Sequence, residues 1–216
     1  MLFDLIILGG GPAGYLAAER AAHAGLKVAL AEERALGGVC LNEGCIPTKA
    51  LLYSAKLYNG VKNGDKYGVT AEGLALDHAA VLRRKNKVVR SLTAGVKAQM
   101  KAGGVTVLTG RGVIVGRQDD AFAMQVGEET VTGRNLLIAT GSQPAVPPIE
   151  GLQDGLARGF VLTKREILDL AEVPERLCVI GGGIIGLELA SYFCSAGSQV
   201  SVVEMLDHIA GETDQD

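Results

Sequence analysis

Two cysteines, Cys40 and Cys45, are separated by four residues and stand directly before a segment with a helical pattern. That segment starts with Ile46-Pro47, and proline is favoured at a helix start because its missing N–H would be unpaired there. The N-terminus of a helix carries a partial positive charge, which stabilises a thiolate. Cys45 is therefore predicted to be the stabilised thiolate. Cys40 lies further out on a predicted loop, where it would meet an external dithiol.

Two other interpretations of this pair are a zinc half-site and two buried cysteines. A zinc half-site usually has closer spacing and needs a second pair of ligands. The remaining cysteines, Cys178 and Cys194, fall in a predicted strand and a predicted helix, so they do not supply that geometry. We interpret them as inert packing residues, and no metal site is predicted. Redox chemistry at Cys40 and Cys45 is favoured over structural stapling.

A glycine-rich loop lies between the apolar run 3–9 and the helical pattern 12–24. It has the spacing G-x-G-x-x-G, in which the first glycine permits a tight turn, the second lets a pyrophosphate approach the backbone, and the third lets the helix pack closely. The free N–H groups of the helix N-terminus attract the phosphates. The dinucleotide-binding residues predicted in this loop are Gly9, Gly11, Pro12, Ala13 and Gly14.

An acidic residue ends the next predicted strand, residues 26–32. Glu32 stands 18 residues after Gly14, close to the spacing of an acid that binds a ribose hydroxyl. Its neighbour Glu33 fits nearly as well on spacing alone, so both are candidates. The strand, loop, helix and acid together predict a dinucleotide site rather than an ordinary tight turn.

A second loop of the same form lies between the predicted strand 177–181 and the predicted helix 184–196. Its predicted nucleotide-binding residues are Gly181, Gly183, Ile184, Ile185, Gly186 and Glu204. Glu204 ends the following strand, again 18 residues after the last glycine of the loop. An acid at this place repels a ribose 2′-phosphate, and residues 205–208 contain no arginine, so the pattern favours NAD over NADP.

The elements around these motifs predict an α/β fold. It would contain two Rossmann-like βαβ nucleotide-binding units, both incomplete in this chain, with a β-meander insertion. Short strands are predicted at 105–109, 112–115, 121–126, 130–132 and 136–140. The predicted domains are a first nucleotide-binding domain over 1–143, a linker over 144–163 and a second nucleotide-binding domain over 164–216.

A long helix is predicted over 77–101, with a cluster of basic residues off its apolar stripe. We interpret this cluster, Arg83, Arg84, Lys85 and Lys87, as a solvated face. The net charge of −3 indicates neither nucleic acid nor an anionic membrane as a partner, and no apolar run is long enough to span a membrane. The start of the chain lacks the basic region of a signal peptide, so a cytoplasmic protein is expected.

The run from Gly37 to Lys49, Gly-Gly-Val-Cys-Leu-Asn-Glu-Gly-Cys-Ile-Pro-Thr-Lys, resembles the redox-active motif of the class I pyridine nucleotide-disulfide oxidoreductases. Within that family it is most similar to the dihydrolipoamide dehydrogenases, which favour Leu-Asn between the cysteines and Ile-Pro-Thr/Ser-Lys after them. The segment from Ala139 to Pro144 resembles the family's second FAD-contacting motif. The segment from Gly181 to Glu188 resembles its NAD loop, so the resemblance covers essentially the whole chain.

The resemblance implies two cofactors, FAD in the first domain and NAD in the second. Cys40 would form a mixed disulfide with dihydrolipoamide, and Cys45 would lie next to the flavin. Lys49 would approach the flavin ring and pair with Glu188. With the first glycine loop and Glu32, further FAD contacts are expected from Gly38, Val39, Gly112, Thr140, Gly141 and Ser142. Electrons would pass from protein-bound dihydrolipoamide through the Cys40–Cys45 disulfide and FAD to NAD.

Members of this family are more than twice as long, so the chain is expected to be an N-terminal fragment that is inactive as a dehydrogenase on its own. The absent part would hold an interface domain with a His–Glu pair. His23, His78 and His208 fit no such motif and are expected at the surface. The expected partners are the lipoyl domain of a 2-oxo acid dehydrogenase or glycine cleavage complex, and a second subunit in a full-length homodimer.

Two other functions stay open beside this one. The chain could belong to another disulfide reductase of the family, such as a glutathione-like or mercuric enzyme. It could also be a non-catalytic nucleotide-binding fragment. The cysteine pair favours disulfide chemistry, but the walls of the substrate site would lie mostly in the absent region.

Overall fold

The structure, a computed structural model, describes residues 1–118 and 120–211. The last five residues of the predicted second domain, 212–216, lie outside the described residues. Among the helices of the described part, none is long and apolar enough to cross a membrane.

The chain divides into two compact units. The first unit comprises Met1–Cys45 and Val89–Gln143, and the second comprises Ile46–Val88 and Pro144–Asp216. Each unit therefore contains two separate stretches of the chain, whereas the sequence predicted continuous domains. The predicted limits of the two domains stay a proposal.

A six-stranded sheet forms the first unit. Its strands are β1 (Leu2–Leu8), β2 (Val28–Glu32), β3 (Thr106–Thr109), β4 (Gly112–Gln118), β5 (Ala121–Val126) and β6 (Glu129–Ile138). The order across the sheet is β3-β2-β1-β6-β5-β4. The first four strands in this order are parallel, whereas β5 and β4 continue the sheet antiparallel as a β-meander. The predicted α/β class with a β-meander is confirmed.

Strand β1 lies inside the sheet because its residues are apolar on both faces. Ile6 and Ile7 point to opposite faces, and neither exposes any surface. A continuous apolar core of this unit contains Phe3, Ile6, Ala29, Ala31, Leu108, Met124, Val126 and Val131. This core fixes the ends of β1 and β2, where the first glycine loop and Glu32 lie.

Strand β6 is a single ten-residue strand, so the prediction of two strands at 130–132 and 136–140 is wrong. The first half of β6 pairs with β5, and its second half pairs with β1. Gly133 stands between the halves, and a Cβ there would lie 2.8 Å from the Ile6 side chain. Gly133 therefore allows β6 to pack closely on β1.

Six α-helices accompany the strands of the described chain. They are α1 (Pro12–His23), α2 (Gly38–Glu43), α3 (Cys45–Lys62), α4 (His78–Ala102), α5 (Leu152–Ala157) and α6 (Ile184–Ala196). Helix α1 connects the parallel strands β1 and β2, which is the predicted βαβ unit. Helix α2 was not predicted, and it contains Cys40. The expectation that Cys40 lies on a loop is therefore wrong.

The second unit repeats the βαβ arrangement with β7 (Arg176–Ile180), α6 and β8 (Gln199–Val203). Strands β7 and β8 are parallel neighbours. Its core contains Leu51, Ala55, Leu168, Leu189, Tyr192 and Phe193. This core joins α6 to the second-unit part of α3, so it supports both the second glycine loop and the helix that carries Lys49.

Three side chains of the second unit differ from their predicted surroundings. Lys85 is 2% exposed, and its Nζ donates a hydrogen bond of 2.6 Å to the carbonyl of Leu168 and pairs with Asp169. The interpretation of Lys85 as part of a solvated face is therefore wrong. Cys178 and Cys194 are exposed, so they are not the packing residues that the sequence indicated.

Candidate nucleotide and disulfide site

Two of the three motif glycines in the first loop are required by packing. Gly9 has φ +108°, and a Cβ on it would lie 2.2 Å from the carbonyl oxygen of Ala139. A Cβ on Gly14 would lie 1.8 Å from the carbonyl oxygen of Gly9. Any larger residue would push the loop away from α1 and from the end of β6.

Gly11 differs, because neither packing nor its backbone conformation requires a glycine there. It is the N-cap residue of α1 with φ −71°, and the nearest atom to a Cβ would be Gly38 Cα at 3.8 Å. No side chain caps the helix, which starts with Pro12 and continues through Ala13. The N-terminus of α1 therefore presents N–H groups that no side chain caps, which is the arrangement that binds phosphates.

Glu32 holds this loop from the end of β2. Its Oε2 accepts a hydrogen bond of 2.7 Å from the N–H of Gly10, and its Oε1 accepts bonds of 2.8 Å and 3.1 Å from the N–H groups of Arg34 and Ala35. Glu33 is exposed to solvent. Of the two candidate acids, Glu32 is the one beside the loop. The role of Gly10 was missed, since its spacing in the motif carries no signal of its own.

The ends of three parallel strands meet at this loop. The N–H of Ala139, just after β6, donates to the carbonyl of Leu8 at 2.8 Å, and residues 140–142 (Thr140, Gly141 and Ser142) follow directly. Gly112, at the start of β4, also approaches closely, because a Cβ on it would lie 2.4 Å from the side chain of Leu8. Ligands of open α/β sheets bind beyond the carboxyl ends of the strands. The site is the point where successive strands change from one side of a central strand to the other.

Helix α2 packs directly on the first glycine loop. The N–H of Gly37 donates to the carbonyl of Gly10 at 2.9 Å, and a Cβ on Gly38 would lie 2.5 Å from Gly11 Cα. Both Gly37 and Gly38 have positive φ, which other residues rarely adopt. Val39 and the half-buried Cys40 follow in the first turn of α2. The structure therefore brings the Cys40 helix against the predicted nucleotide loop.

Cys45 is the first residue of α3, and it is exposed. The residue before it, Gly44, lies against the start of α2: a Cβ on Gly44 would lie 3.0 Å from the carbonyl oxygen of Val39 and 3.6 Å from Cys40 Cα. This tight turn keeps the backbone before Cys45 next to the backbone of Cys40. The positive end of α3 is available at Cys45, as the sequence indicated.

The second loop repeats the geometry of the first within its own unit. A Cβ on Gly186 would lie 2.5 Å from the carbonyl oxygen of Gly181, whereas a Cβ on Gly183, the N-cap residue of α6, would meet nothing within 4 Å. Ile184 and Ile185, the first residues of α6, are 61% and 54% exposed. Their N–H groups lie at a helix N-terminus without a side-chain cap.

Glu204 holds the second loop as Glu32 holds the first. Its Oε2 accepts a bond of 2.7 Å from the N–H of Gly182, and its Oε1 accepts bonds of 2.6 Å and 2.9 Å from Met205 and Leu206. The N–H groups of Leu206, Gly182 and Met205, in this order of effect, lower the pKa of Glu204. The carboxylate is therefore held in its charged form.

Lys49 and Glu188, both in the second unit, form an ion pair across α3 and α6. The distance from Lys49 Nζ to Glu188 Oε1 is 3.7 Å, and the two side chains are 66% and 32% exposed. The contact that the resemblance implied is therefore present. The proposed role of the pair beside a flavin stays a prediction.

His78 is held by two hydrogen bonds within the second unit. His78 Nδ1 is 2.7 Å from the hydroxyl of Tyr192, and its Nε2 is 2.9 Å from the carbonyl oxygen of Leu170, so it is half-buried rather than on the surface. Burial raises the pKa of Tyr192 to about 12.

Over residues 1–118 and 120–211, no group of three or more His, Cys, Asp or Glu residues could hold a metal ion.

Two loops of Rossmann type, each held by an acid, with a cysteine-bearing helix packed on the first, are typical of dinucleotide-dependent disulfide oxidoreductases. The sequence pattern of pyridine nucleotide-disulphide oxidoreductases matches residues 3–216. The chain belongs to this family, which confirms the family that the cysteine motif indicated.

Several curated relatives are named dihydrolipoyl dehydrogenase. The protein of Acholeplasma laidlawii is 44% identical over 99% of this chain and 63% of its own length. The proteins of Mycoplasma genitalium and Bacillus subtilis are 41% and 42% identical over 100% and 96% of this chain, and the matches cover 47% and 45% of their lengths. The chain therefore spans only part of each relative, about half in most cases.

Solved structures show the same fold. The HOCl-induced flavoprotein disulfide reductase RclA from Escherichia coli is 31% identical with a TM-score of 0.80, over 99% of this chain and 44% of that chain. Its Cu(II) complex is 30% identical with a TM-score of 0.81, over 98% of this chain and 44% of that chain. This likeness confirms the predicted fold class, including the Rossmann-like first unit.

Proposed function

We propose that this chain forms the disulfide and nucleotide-binding part of a dihydrolipoyl dehydrogenase, which oxidises protein-bound dihydrolipoamide with NAD. The observation that carries the proposal is the close packing of the Cys40 helix on the first glycine loop, at Gly38 and Gly11. This contact supports a thiol beside the proposed nucleotide-binding loop, residues 9–14. The names of relatives that are 37–44% identical support dihydrolipoamide as the substrate.

FAD fits the first loop for three reasons. Gly11 presents no side chain toward a phosphate, α1 presents N–H groups without a side-chain cap, and Glu32 is held at the end of β2 where a ribose would bind. Gly112 and residues 140–142 would flank the same cofactor. When bound, FAD would supply a two-electron carrier between the cysteine pair and NAD.

The cysteine pair would perform disulfide exchange with the substrate. A thiolate of dihydrolipoamide attacks Cys40 Sγ, the Cys40–Cys45 bond breaks, and Cys45 leaves as a thiolate at the N-terminus of α3. The second substrate thiol then attacks the mixed disulfide and releases Cys40. Two electrons and two protons thereby leave the dithiol, and lipoamide forms. Lys49, held by Glu188, would add positive charge near the flavin.

The second loop is the proposed NAD site. Gly183 provides the open position, and Glu204 presents a charged carboxylate at the end of β8. A ribose hydroxyl can donate to this carboxylate, whereas a 2′-phosphate would be repelled by it. The same acid therefore supports NAD rather than NADP.

The partners of the whole protein follow from this assignment. The dithiol substrate would be the lipoyl domain of a 2-oxo acid dehydrogenase or glycine cleavage complex, and the whole protein would be a homodimer. Because the chain spans only part of its relatives, residues 1–216 by themselves are proposed to exchange electrons with a dithiol without sustained turnover.

A second candidate is a disulfide reductase with another substrate. The observation in its favour is the likeness to RclA, which is named a flavoprotein disulfide reductase. The two candidates share the cysteine chemistry and differ in the thiol that they accept. A direct comparison of thiols therefore separates them.

The test is an absorption spectrum of the purified chain after incubation with FAD and removal of the excess. We expect a bound flavin band that changes when one equivalent of dihydrolipoamide is added, and that does not change in the Cys40→Ser and Cys45→Ser variants. Cys194→Ser, an exposed cysteine of the second unit, is the matched control and should respond like the wild type. A response to glutathione but not to dihydrolipoamide would favour the second candidate, and the absence of bound flavin would contradict the FAD assignment.

A further inference from the structure

Helix α2 needs anchors outside itself to hold its position. It has six residues. A helix this short is not stable by its own hydrogen bonds, because the free energy cost of nucleating a helix exceeds the stabilisation from one turn of hydrogen bonds. Within the helix, Leu41 is 8% exposed and packs against the N-cap residue Gly37, so this contact does not replace an outside anchor. The position of Cys40 therefore depends on the contacts that surround α2.

Asn42 ties the helix to its own N-terminal end. Its side-chain amide donates to the carbonyl of Gly38 at 2.9 Å and to the carbonyl of Leu36 at 3.2 Å. Both acceptors lie in the segment that packs on the first glycine loop. These bonds hold the start of α2 but leave its other end to a different contact.

Arg34 holds the other end of α2. Its guanidinium pairs with Oε1 of Glu43, the last residue of the helix. The Glu43 side chain is only 16% exposed, so solvent screens this pair less than it screens a fully exposed pair. The backbone N–H of Arg34 also donates to Glu32 at 2.8 Å. A single residue thus connects the acid of the nucleotide loop with the segment between the two cysteines.

The anchored end of α2 leads directly to the second cysteine. Gly44 follows Glu43, and a Cβ on Gly44 would lie 3.6 Å from Cys40 Cα, so the backbone at this turn lies against Cys40. Cys45 is the next residue. A shift of Glu43 would therefore move Cys45 relative to Cys40, because only one residue separates Glu43 from Cys45.

We propose that Arg34 is a positioning residue for the Cys40–Cys45 redox pair, because its ion pair with Glu43 holds α2 in the orientation in which the two thiols close a disulfide. This inference rests on the proposed function. In the closing step, the S–S bond forms while two electrons and two protons pass from the two thiols to glutathione disulfide, which becomes two glutathione thiols. Good positioning raises the effective concentration of one thiol at the other and stabilises the disulfide.

Loss of the anchor should make the disulfide easier to reduce. Partly exposed ion pairs contribute modestly, so we expect about a threefold change in the equilibrium constant for closing the disulfide. For a two-electron couple this corresponds to a midpoint potential about 14 mV less negative. The shift is small, but a comparison of variants in the same buffers resolves it.

The experiment equilibrates the full chain in a series of glutathione buffers and traps free thiols by alkylation before mass analysis. The variants are Arg34→Met, Glu43→Gln and the double charge reversal Arg34→Glu with Glu43→Arg. Arg134→Met is the matched control, since it removes an ion pair with Asp4 of 2.8 Å in the same unit, between side chains of similar exposure. Glu43→Gln tests the same pair from the other side if Arg34→Met does not fold.

The expected result is a less negative potential in both single variants, a return toward the wild-type value in the double reversal, and no shift in Arg134→Met. A wild-type potential in Arg34→Met and Glu43→Gln would overturn the inference, and so would an equal shift in Arg134→Met. A wild-type chain that forms no Cys40–Cys45 disulfide in any buffer would instead overturn the proposed function itself. The two failures are therefore distinguishable.

Discussion

The backbone N–H of Gly10 donates a hydrogen bond of 2.7 Å to Oε2 of Glu32. Gly182 donates a bond of the same length to Glu204, and in both pairs donor and acceptor are 22 positions apart. In each unit, the acid at the end of the second strand thus holds the middle of the glycine loop. The loop is preorganised by the protein itself, which lowers the cost of ordering it when a ligand binds.

Alanine at Gly11 and alanine at Gly14 should separate ligand binding from packing. A Cβ fits at Gly11, so Gly11→Ala should change the free energy of unfolding by less than about 0.5 kcal/mol and still weaken FAD binding. A Cβ at Gly14 would lie 1.8 Å from the carbonyl oxygen of Gly9, so Gly14→Ala should cost about 1–3 kcal/mol or more. Urea unfolding and a FAD titration measure the two effects. Unchanged FAD affinity in Gly11→Ala would argue against FAD binding at the first glycine loop.

The pH dependence of Glu204→Gln tests the second loop. The pKa of Glu204 is lowered in the folded chain, first by the N–H of Leu206 and then by those of Gly182 and Met205. A lowered pKa contributes stability above the unfolded value of about 4.3, and this contribution is lost as the pH falls through the folded value. The variant should therefore melt below the wild type near neutral pH, and the gap should close on acidification. Glu150→Gln, on an exposed loop, is the control and should show no such gap.

The parts of the fold that the sequence predicted well are those with a strong local signal. The apolar runs predicted β1, β2 and β7 as strands of parallel sheets, and the glycine loops mark where α1 and α6 begin. Spacing alone left two candidates, Glu32 and Glu33, for the acid that accompanies the first glycine loop. Only the structure distinguishes them, because the choice depends on which carboxylate reaches the N–H of Gly10.

The parts that the sequence missed depend on contacts distant in the chain. Helix α2 is too short for a periodic pattern, and its glycines at positive φ resemble a loop. Lys85 was predicted to be exposed because it is charged like its exposed neighbours. The carbonyl of Leu168, distant in the chain, accepts its hydrogen bond, and the sequence pattern does not show this contact. Strand β6 was predicted as two strands because a glycine inside an apolar pattern is typical of a turn. Gly133 is required instead by the close approach of Ile6, which the sequence does not show.

Lys85→Met and Lys87→Met should differ strongly although the residues are two positions apart. Lys85 is buried and donates to the carbonyl of Leu168, so its loss leaves that acceptor without its partner and should cost about 1–3 kcal/mol of unfolding free energy. Lys87 is exposed, and its substitution should cost less than about 0.5 kcal/mol. Equal midpoints in urea for the two variants would show that the contact of Lys85 does not stabilise the fold.

Tyr192 should make the fold sensitive to alkali. Its pKa is raised to about 12 by burial, so the folded chain resists its ionisation. A raised pKa contributes stability that is present below the unfolded value of about 10 and is lost as the pH rises to about 12. Tyr192→Phe should remove this decline and also cost about 1 kcal/mol near neutral pH, since His78 loses a hydrogen bond of 2.7 Å. The measurement is the free energy of unfolding of the wild type and of Tyr192→Phe across that pH range. An equal decline in both proteins would show that Tyr192 does not cause it.

Cys40 and Cys45 are proposed to form a disulfide that a dithiol reduces. The number of thiols in the denatured chain, counted before and after one equivalent of dihydrolipoamide, tests this pairing. The chain has four cysteines, so we expect two reactive thiols in the oxidised protein and four after reduction, with both new thiols at Cys40 and Cys45. Four thiols before reduction under oxidising conditions, or two that persist after it, would rule out a redox-active Cys40–Cys45 disulfide.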